Sequence, residues 1–207
     1  MVLDVDFIIA SLLVILTLIP LYIYRKEIYK KFSRSGNTET FIKDVKVYLQ
    51  QNYPKIQFDF SVLNKHQNEK DVKLRELMIV EELARQFAYF EYELHTQKDT
   101  SKDMHWSGYE QNSILQKDNK LPPDWAQRKS VAWKRDNGKC NRCGTQISLP
   151  DANALFAKQM RDGGGFNLEN IVILCNDCSK IIKSSNLEKT IKDLPLLDKL
   201  IKKVDNF

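Results

Sequence analysis

An α+β, mainly helical fold is expected from three features of this 207-residue chain. Residues 7–24 form an uncharged apolar run. Apolar residues recur at helical spacing between residues 38 and 94. The last third carries two Cys-x2-Cys pairs with a glycine run between them. The chain divides accordingly into a short N-terminus (1–6), the apolar segment (7–24), a basic flank and linker (25–37), a helical middle region (38–120), a cysteine-bearing unit (121–185) and a C-terminal helical segment (186–207).

The apolar run, FIIASLLVILTLIPLYIY, extends from Phe7 to Tyr24. As a helix, about 18 residues rise roughly 27 Å, the thickness of a bilayer's hydrocarbon core. A buried core helix would show a polar face, and this run has only Ser11 and Thr17 as polar positions. A cleaved signal peptide needs a basic start and a small-residue cleavage site. Here Asp4 and Asp6 precede the run, and Arg25, Lys26, Lys30 and Lys31 follow it. The expectation is an uncleaved transmembrane helix held in the lipid bilayer. The basic flank would stay inside, leaving the N-terminus outside and the C-terminal domain cytoplasmic. That is a single-pass protein of a bacterial inner membrane, a reducing setting for free thiols.

Ser33 to Asn37 reads as a flexible linker. Phe41, Val45, Tyr48 and Leu49 then predict a helix over Thr38–Gln51, stopped by Pro54. Ile56, Phe58, Phe60 and Val62 alternate with polar residues, which predicts a short strand. Asn68 is a candidate N-cap, with Asp71 three residues on, for a helix striped by Val72, Ile79, Leu83, Phe87, Phe90 and Leu94. Thr96–Asp103 is polar and reads as a loop. In the last third, Asp124 can cap a helix from Trp125 to Asp136 that Asn137-Gly138 ends. A short helix is expected over Ser179–Lys183. Asn186 can cap another, and Pro195 breaks or restarts the last one.

Cys140, Cys143, Cys175 and Cys178 are the chain's only cysteines, and its histidines, His66, His95 and His105, all precede them. Four cysteines are too few for a disulfide scaffold, and two pairs without a βαβ pattern do not suit a thioredoxin-like redox site. Paired thiolates at this spacing suit a tetrahedral zinc ion. Four thiolates fill its shell, so such a zinc would hold the fold rather than activate water.

The stretch LPPDWAQRKSVAWKRDNGKCNRCG, followed by GGGFNLENIVILCNDCSKIIK, resembles the HNH endonuclease family in its zinc-stabilised branch. The likeness covers about Leu121 to Lys183, under a third of the chain. It implies a zinc-braced β-hairpin and helix, the ββα-metal arrangement. In that family histidines on this frame serve as general base and hold a catalytic divalent ion. Here the paired histidine positions fall on about Leu155 and Phe156, and the last falls on Ser179. Asn170, the middle residue of the pattern, is retained. Its implied role is to tether the loop spanning the hairpin.

The formal charge of +5 resides in the cysteine-bearing part. Residues 1–120 hold 17 Lys/Arg against 17 Asp/Glu, and residues 121–207 hold 15 against 10. Arg128, Lys129, Lys134, Arg135, Lys139 and Arg142 are the candidates for meeting DNA or RNA phosphates, while Trp125 and Trp133 suit packing better than base stacking. The expected function is a membrane-anchored HNH-like zinc protein without nuclease activity, binding nucleic acid or a protein, such as a membrane protein, on the cytoplasmic face. The alternative is a divergent endonuclease using a catalytic divalent metal in a rebuilt site. Asp151, Asp162, Glu169 and Asp177, with His95 or His105 folding back, are the residues for it.

Overall fold

The computed structural model describes residues 16, 18–20, 22–24, 38–61, 63, 69–111 and 120–206. In chain order its elements are α1 (Thr38–Asn52), α2 (Val72–Tyr89), α3 (Trp125–Arg135), β1 (Asn153–Phe156), β2 (Ile171–Leu174), α4 (Asn176–Lys183), α5 (Leu187–Lys192) and α6 (Pro195–Asn206). Short 3-10 turns lie at Lys102–Met104, Met160–Asp162 and Leu168–Asn170. The chain is thus α+β and mainly helical, as its periodicity requires.

Helix α1 buries Phe41, Val45 and Leu49, one residue per turn on one stripe. Helix α2 buries Ile79, Val80, Leu83, Ala84, Phe87 and Ala88 against it. Its cap is Asp71, whose carboxylate accepts from the Lys73 and Leu74 backbone N–H groups. Asn68, the residue expected there, lies outside the described residues. A carboxylate at this position satisfies two orphan donors and complements the helix dipole. The helix also ends before its apolar stripe does, so Phe90 and Leu94 pack on the core from extended chain.

The strand expected from Ile56 to Val62 does not form. Ile56 is buried and Phe58 and Phe60 are half-buried, so the alternation does mark a packed face. Among the described residues no neighbouring strand pairs with it, and Val62 lies outside them. The backbone uses a side chain instead. Asp59 N–H donates to Gln86 Oε1 at 2.7 Å, and Gln86 Nε2 donates to Asp59 O at 2.9 Å.

The two strands pair antiparallel, with Asn153 opposite Leu174 and Phe156 opposite Ile171. Strand β2 is buried on both faces. Val172 and Leu174 join the core formed by α1, α2, the cysteines, α4 and α6. Ile171 and Ile173 point the other way, into a smaller core with Ala132 of α3 and Leu168. The period of two therefore makes one strand the wall between two cores.

Asp124 does not cap α3; its Oδ1 instead accepts from Arg128 Nε at 2.9 Å, one turn along. The helix stops at Asn137 (φ 53°) and Gly138 (φ 65°), both left-handed. Asn186 caps α5 as expected, accepting from the Lys189 N–H, and Pro195 opens α6. Asp177 in α4 is buried, which raises its carboxyl above the usual range, and the nearby Leu196 N–H at the start of α6 opposes that rise. Lys73–Asp205 and Lys203–Asp44 pairs tie α6 back to α2 and α1.

The single-pass membrane placement requires correction. A span needs about 20 consecutive apolar helical residues, and among the described residues no helix is long and apolar enough to cross a membrane. Of residues 7–24, only 16, 18–20 and 22–24 are described. Leu16, Leu18, Ile19, Tyr22, Ile23 and Tyr24 are exposed there.

Gly138→Ala tests the turn that delivers the first cysteine. A Cβ there would lie 2.7 Å from Gln146 Nε2 and 2.9 Å from the Trp133 ring, on a left-handed backbone. Its expected cost is about 1–2 kcal/mol, read as a lowered denaturation midpoint with unchanged slope.

Candidate metal centre

Helix α3 and the Asn137-Gly138 turn lead directly into the first Cys pair. A Lys139–Gln146 bridge closes the turn, and Cys140 N–H donates to Thr145 O at 2.9 Å. Inside it, Gly144 N–H donates to Cys140 O at 2.9 Å, pointing both sulfurs the same way. Gly144 has φ 80°, and a Cβ there would stand 2.9 Å from Pro54. Only glycine permits both the left-handed backbone and the close approach of the middle region.

The second pair sits where β2 meets α4. Cys175 is the N-cap of α4, its sulfur accepting from the Cys178 N–H at 3.5 Å. Asn141 N–H donates to Ile173 O at 2.9 Å, lacing the first pair to β2. All four sulfurs consequently lie within 4.8 Å of one another, buried, and free of disulfides. Cys143 Sγ and Cys175 Sγ are 3.7 Å apart, far beyond a disulfide bond of about 2.05 Å. A tetrahedral ion with metal–sulfur bonds of about 2.3 Å needs sulfur–sulfur edges near 3.8 Å. The cluster fits a structural metal ion.

The four sulfurs are close enough to set one another's protonation. Hydrogen bonds from Cys143, Cys175 and Cys178 pull the Cys140 thiol well below its ordinary range. Hydrogen bonding with Cys140 and Cys143, helped by burial, pushes Cys175 and Cys178 far above it. All four could ionise together only with a cation between them. Burial, then Cys140 and Cys178, also raises nearby Tyr92 to about 12.

The centre lies against the middle region. Lys55 N–H donates to Cys143 O at 3.2 Å. The Cys143 thiol donates to Thr145 Oγ1 at 3.2 Å, and the Thr145 hydroxyl in turn donates to Asn52 O at the end of α1. These partners were not legible in the sequence, because they join residues about 90 positions apart with no motif at either end.

The six basic candidates separate into two groups. Arg128 is 3% exposed and donates to Phe166 O at 2.8 Å. Arg135 donates to Leu168 O and Ile171 O and pairs with Asp136. Arg142 is 1% exposed. None of these three presents its guanidinium as an outward face, because the β1–β2 loop and the end of α2 supply carbonyls that need donors. Lys134 and Lys139 are exposed and Lys129 is half-buried.

Asn170 is buried and tethers the β1–β2 loop. Its Oδ1 accepts from Lys158 N–H at 2.7 Å, and its Nδ2 donates to Lys158 O and Gly165 O. Leu155 packs on the larger core, Phe156 against Trp125 and Phe166, and Ser179 is buried in α4. The candidates for a rebuilt site do not converge. Asp151 accepts from Ser148, Asp162 faces Arg161, and Asp177 is buried in α4. His95 is exposed beside Glu93. The segment carrying His105 does fold back: its ring stacks on Tyr109, whose hydroxyl donates to buried Glu169 at 3.1 Å. Among the described residues, the four cysteines are the only group of three or more His, Cys, Asp or Glu able to hold a metal ion.

No family model, curated protein or solved structure matches this chain.

Two outcomes follow from this geometry. Replacing Cys140 and Cys175 together with serine removes a ligand from each pair. Bound metal should then disappear from elemental analysis, and the melting temperature should fall by roughly 10 °C or more. Asn170→Ala strips the loop of three hydrogen bonds and leaves buried partners unpaired. It should cost about 2–4 kcal/mol in urea denaturation while the metal content stays at the wild-type level.

Proposed function

We propose that this chain is a zinc-braced binding protein built on an HNH-like frame without nuclease chemistry, whose zinc holds that frame against a helical body. The closed set of four buried thiols carries the reading. Thiolates in a tetrahedral set favour zinc or iron over hard cations, and zinc adds no redox chemistry of its own. Cys140, Cys143, Cys175 and Cys178 would hold the ion and leave no open position for a substrate or water. The HNH reading rests on the motif order in residues 121–183 and on an α3, antiparallel hairpin and α4 succession around the cysteines. Its catalytic histidine positions correspond to Leu155, Phe156 and Ser179, which cannot activate water on a divalent ion.

A protein is the better-supported partner class. Three of the six basic candidates are engaged internally, so Lys129, Lys134 and Lys139 are what remains of the phosphate-facing set.

The test takes the purified full chain with plasmid and single-stranded DNA in magnesium, manganese or nickel. Zinc near one equivalent with no cleavage is expected. Metal-dependent nicking that His105→Ala or Asn170→Ala abolishes would overturn the reading in favour of the rebuilt endonuclease. DNA and RNA titrations between about 50 and 300 mM salt address the partner. Tight binding that weakens steeply with salt would return the partner to nucleic acid.

A further inference from the structure

We infer that Arg142 is the positioning residue through which the metal-loaded cluster holds the end of α2, so that metal binding and docking of the helical middle region are one event. The inference rests on the metal reading of the cluster.

Arg142 lies between the two cysteines of the first pair and is 1% exposed. Its Nη2 group meets three carbonyls at the end of α2: Phe87 O at 2.7 Å, Ala88 O at 3.1 Å and Phe90 O at 2.9 Å. The last turn of a helix leaves such carbonyls without intrahelical donors, and its dipole attracts a cation there. The guanidinium carbon also lies 5.2 Å from the Phe87 ring centre and 5.4 Å from that of Phe90. These contacts explain why the chain leaves the helix at Tyr89 although the apolar stripe continues.

The other arm reaches the metal centre, where Nη1 donates to Cys178 Sγ at 3.6 Å. A buried guanidinium is costly unless a counter-charge stands nearby. No carboxylate among the described residues forms a salt bridge with Arg142. The available anion is the cluster itself, since four thiolates around a divalent ion leave net negative charge. Arg142 is therefore balanced when the metal is bound and stranded when it is absent. Binding free energies are reciprocal: if metal secures Arg142 on α2, Arg142 must strengthen metal binding by the same factor.

The experiment uses the full chain, wild type and with Arg142→Met or Arg142→Lys. Cobalt charge-transfer absorption reports thiolate ligation, competition with a chromogenic chelator gives zinc affinity, and hydrogen exchange reads amides 86–94. Wild type should show metal-dependent protection there. Arg142→Met should bind zinc about 10–100-fold more weakly, the usual loss for removing a partner of a metal ligand. Its amides 86–94 should exchange as fast with metal as without. Arg142→Lys keeps the charge but not the fork, so zinc affinity should recover in large part while protection of 86–94 does not. This variant carries the test if Arg142→Met fails to fold. Zinc affinity and metal-dependent protection equal to wild type in the substituted chain would overturn the role of Arg142 alone. A wild-type chain without the cobalt–thiolate band would overturn the metal reading and this inference with it.

Discussion

Four sulfurs drawn into a volume under 5 Å across bring together parts of the chain that share no other motif. The first pair arrives from α3 through a left-handed turn. The second arrives from β2 and starts α4. Around them stand the end of α1, the end of α2 and the extended chain after it. Each contributes apolar surface to one core, and the four buried cysteines belong to that core. Thiolates in so dry a place would need a cation to balance them, so metal binding there would be coupled to the stability of the core.

Arginine does a second job in this fold. The long β1–β2 loop and the end of α2 expose carbonyls that no sheet or helix can satisfy. Arg128 and Arg135, seven residues apart on one face of α3, reach Phe166, Leu168 and Ile171. Asn170 collects Lys158 and Gly165 from within the loop. Arg142 does the same for α2. A guanidinium presents several donors in a fixed plane, which suits irregular backbone that a single donor could not serve. The basic character of residues 121–142 is therefore partly an internal hydrogen-bonding device. That weakens the case for a phosphate-binding surface.

The helices were legible in place, because burying one stripe of a helix imposes a period on the sequence. Phe41, Val45 and Leu49, or Ile79, Leu83 and Phe87, announce themselves in this way. The helix ends were not always legible: α2 stops at Tyr89 although its stripe runs to Leu94, and α4 begins at Asn176 rather than Ser179. The cysteine quartet was equally legible, since metal-ligand spacing is a local property. The Asn137-Gly138 turn and the Asn186 cap were local in the same sense. The segment from Ile56 to Phe60 shows where local reading fails. Its alternation reports a half-buried face, but a strand also needs a partner, and a partner is not written in the segment itself.

By itself, then, the sequence determined what depends on neighbours along the chain: helical stripes, turns, one cap and the pairing of cysteines. Tertiary structure alone decided what each charged side chain is for. Arg128, Arg135 and Arg142 look like surface charge until carbonyls from 30 to 55 residues away are seen to surround them. Whether a cation faces water or backbone depends on which unsatisfied groups the fold brings to it. That is a property of the assembled core and not of the residue or its neighbours.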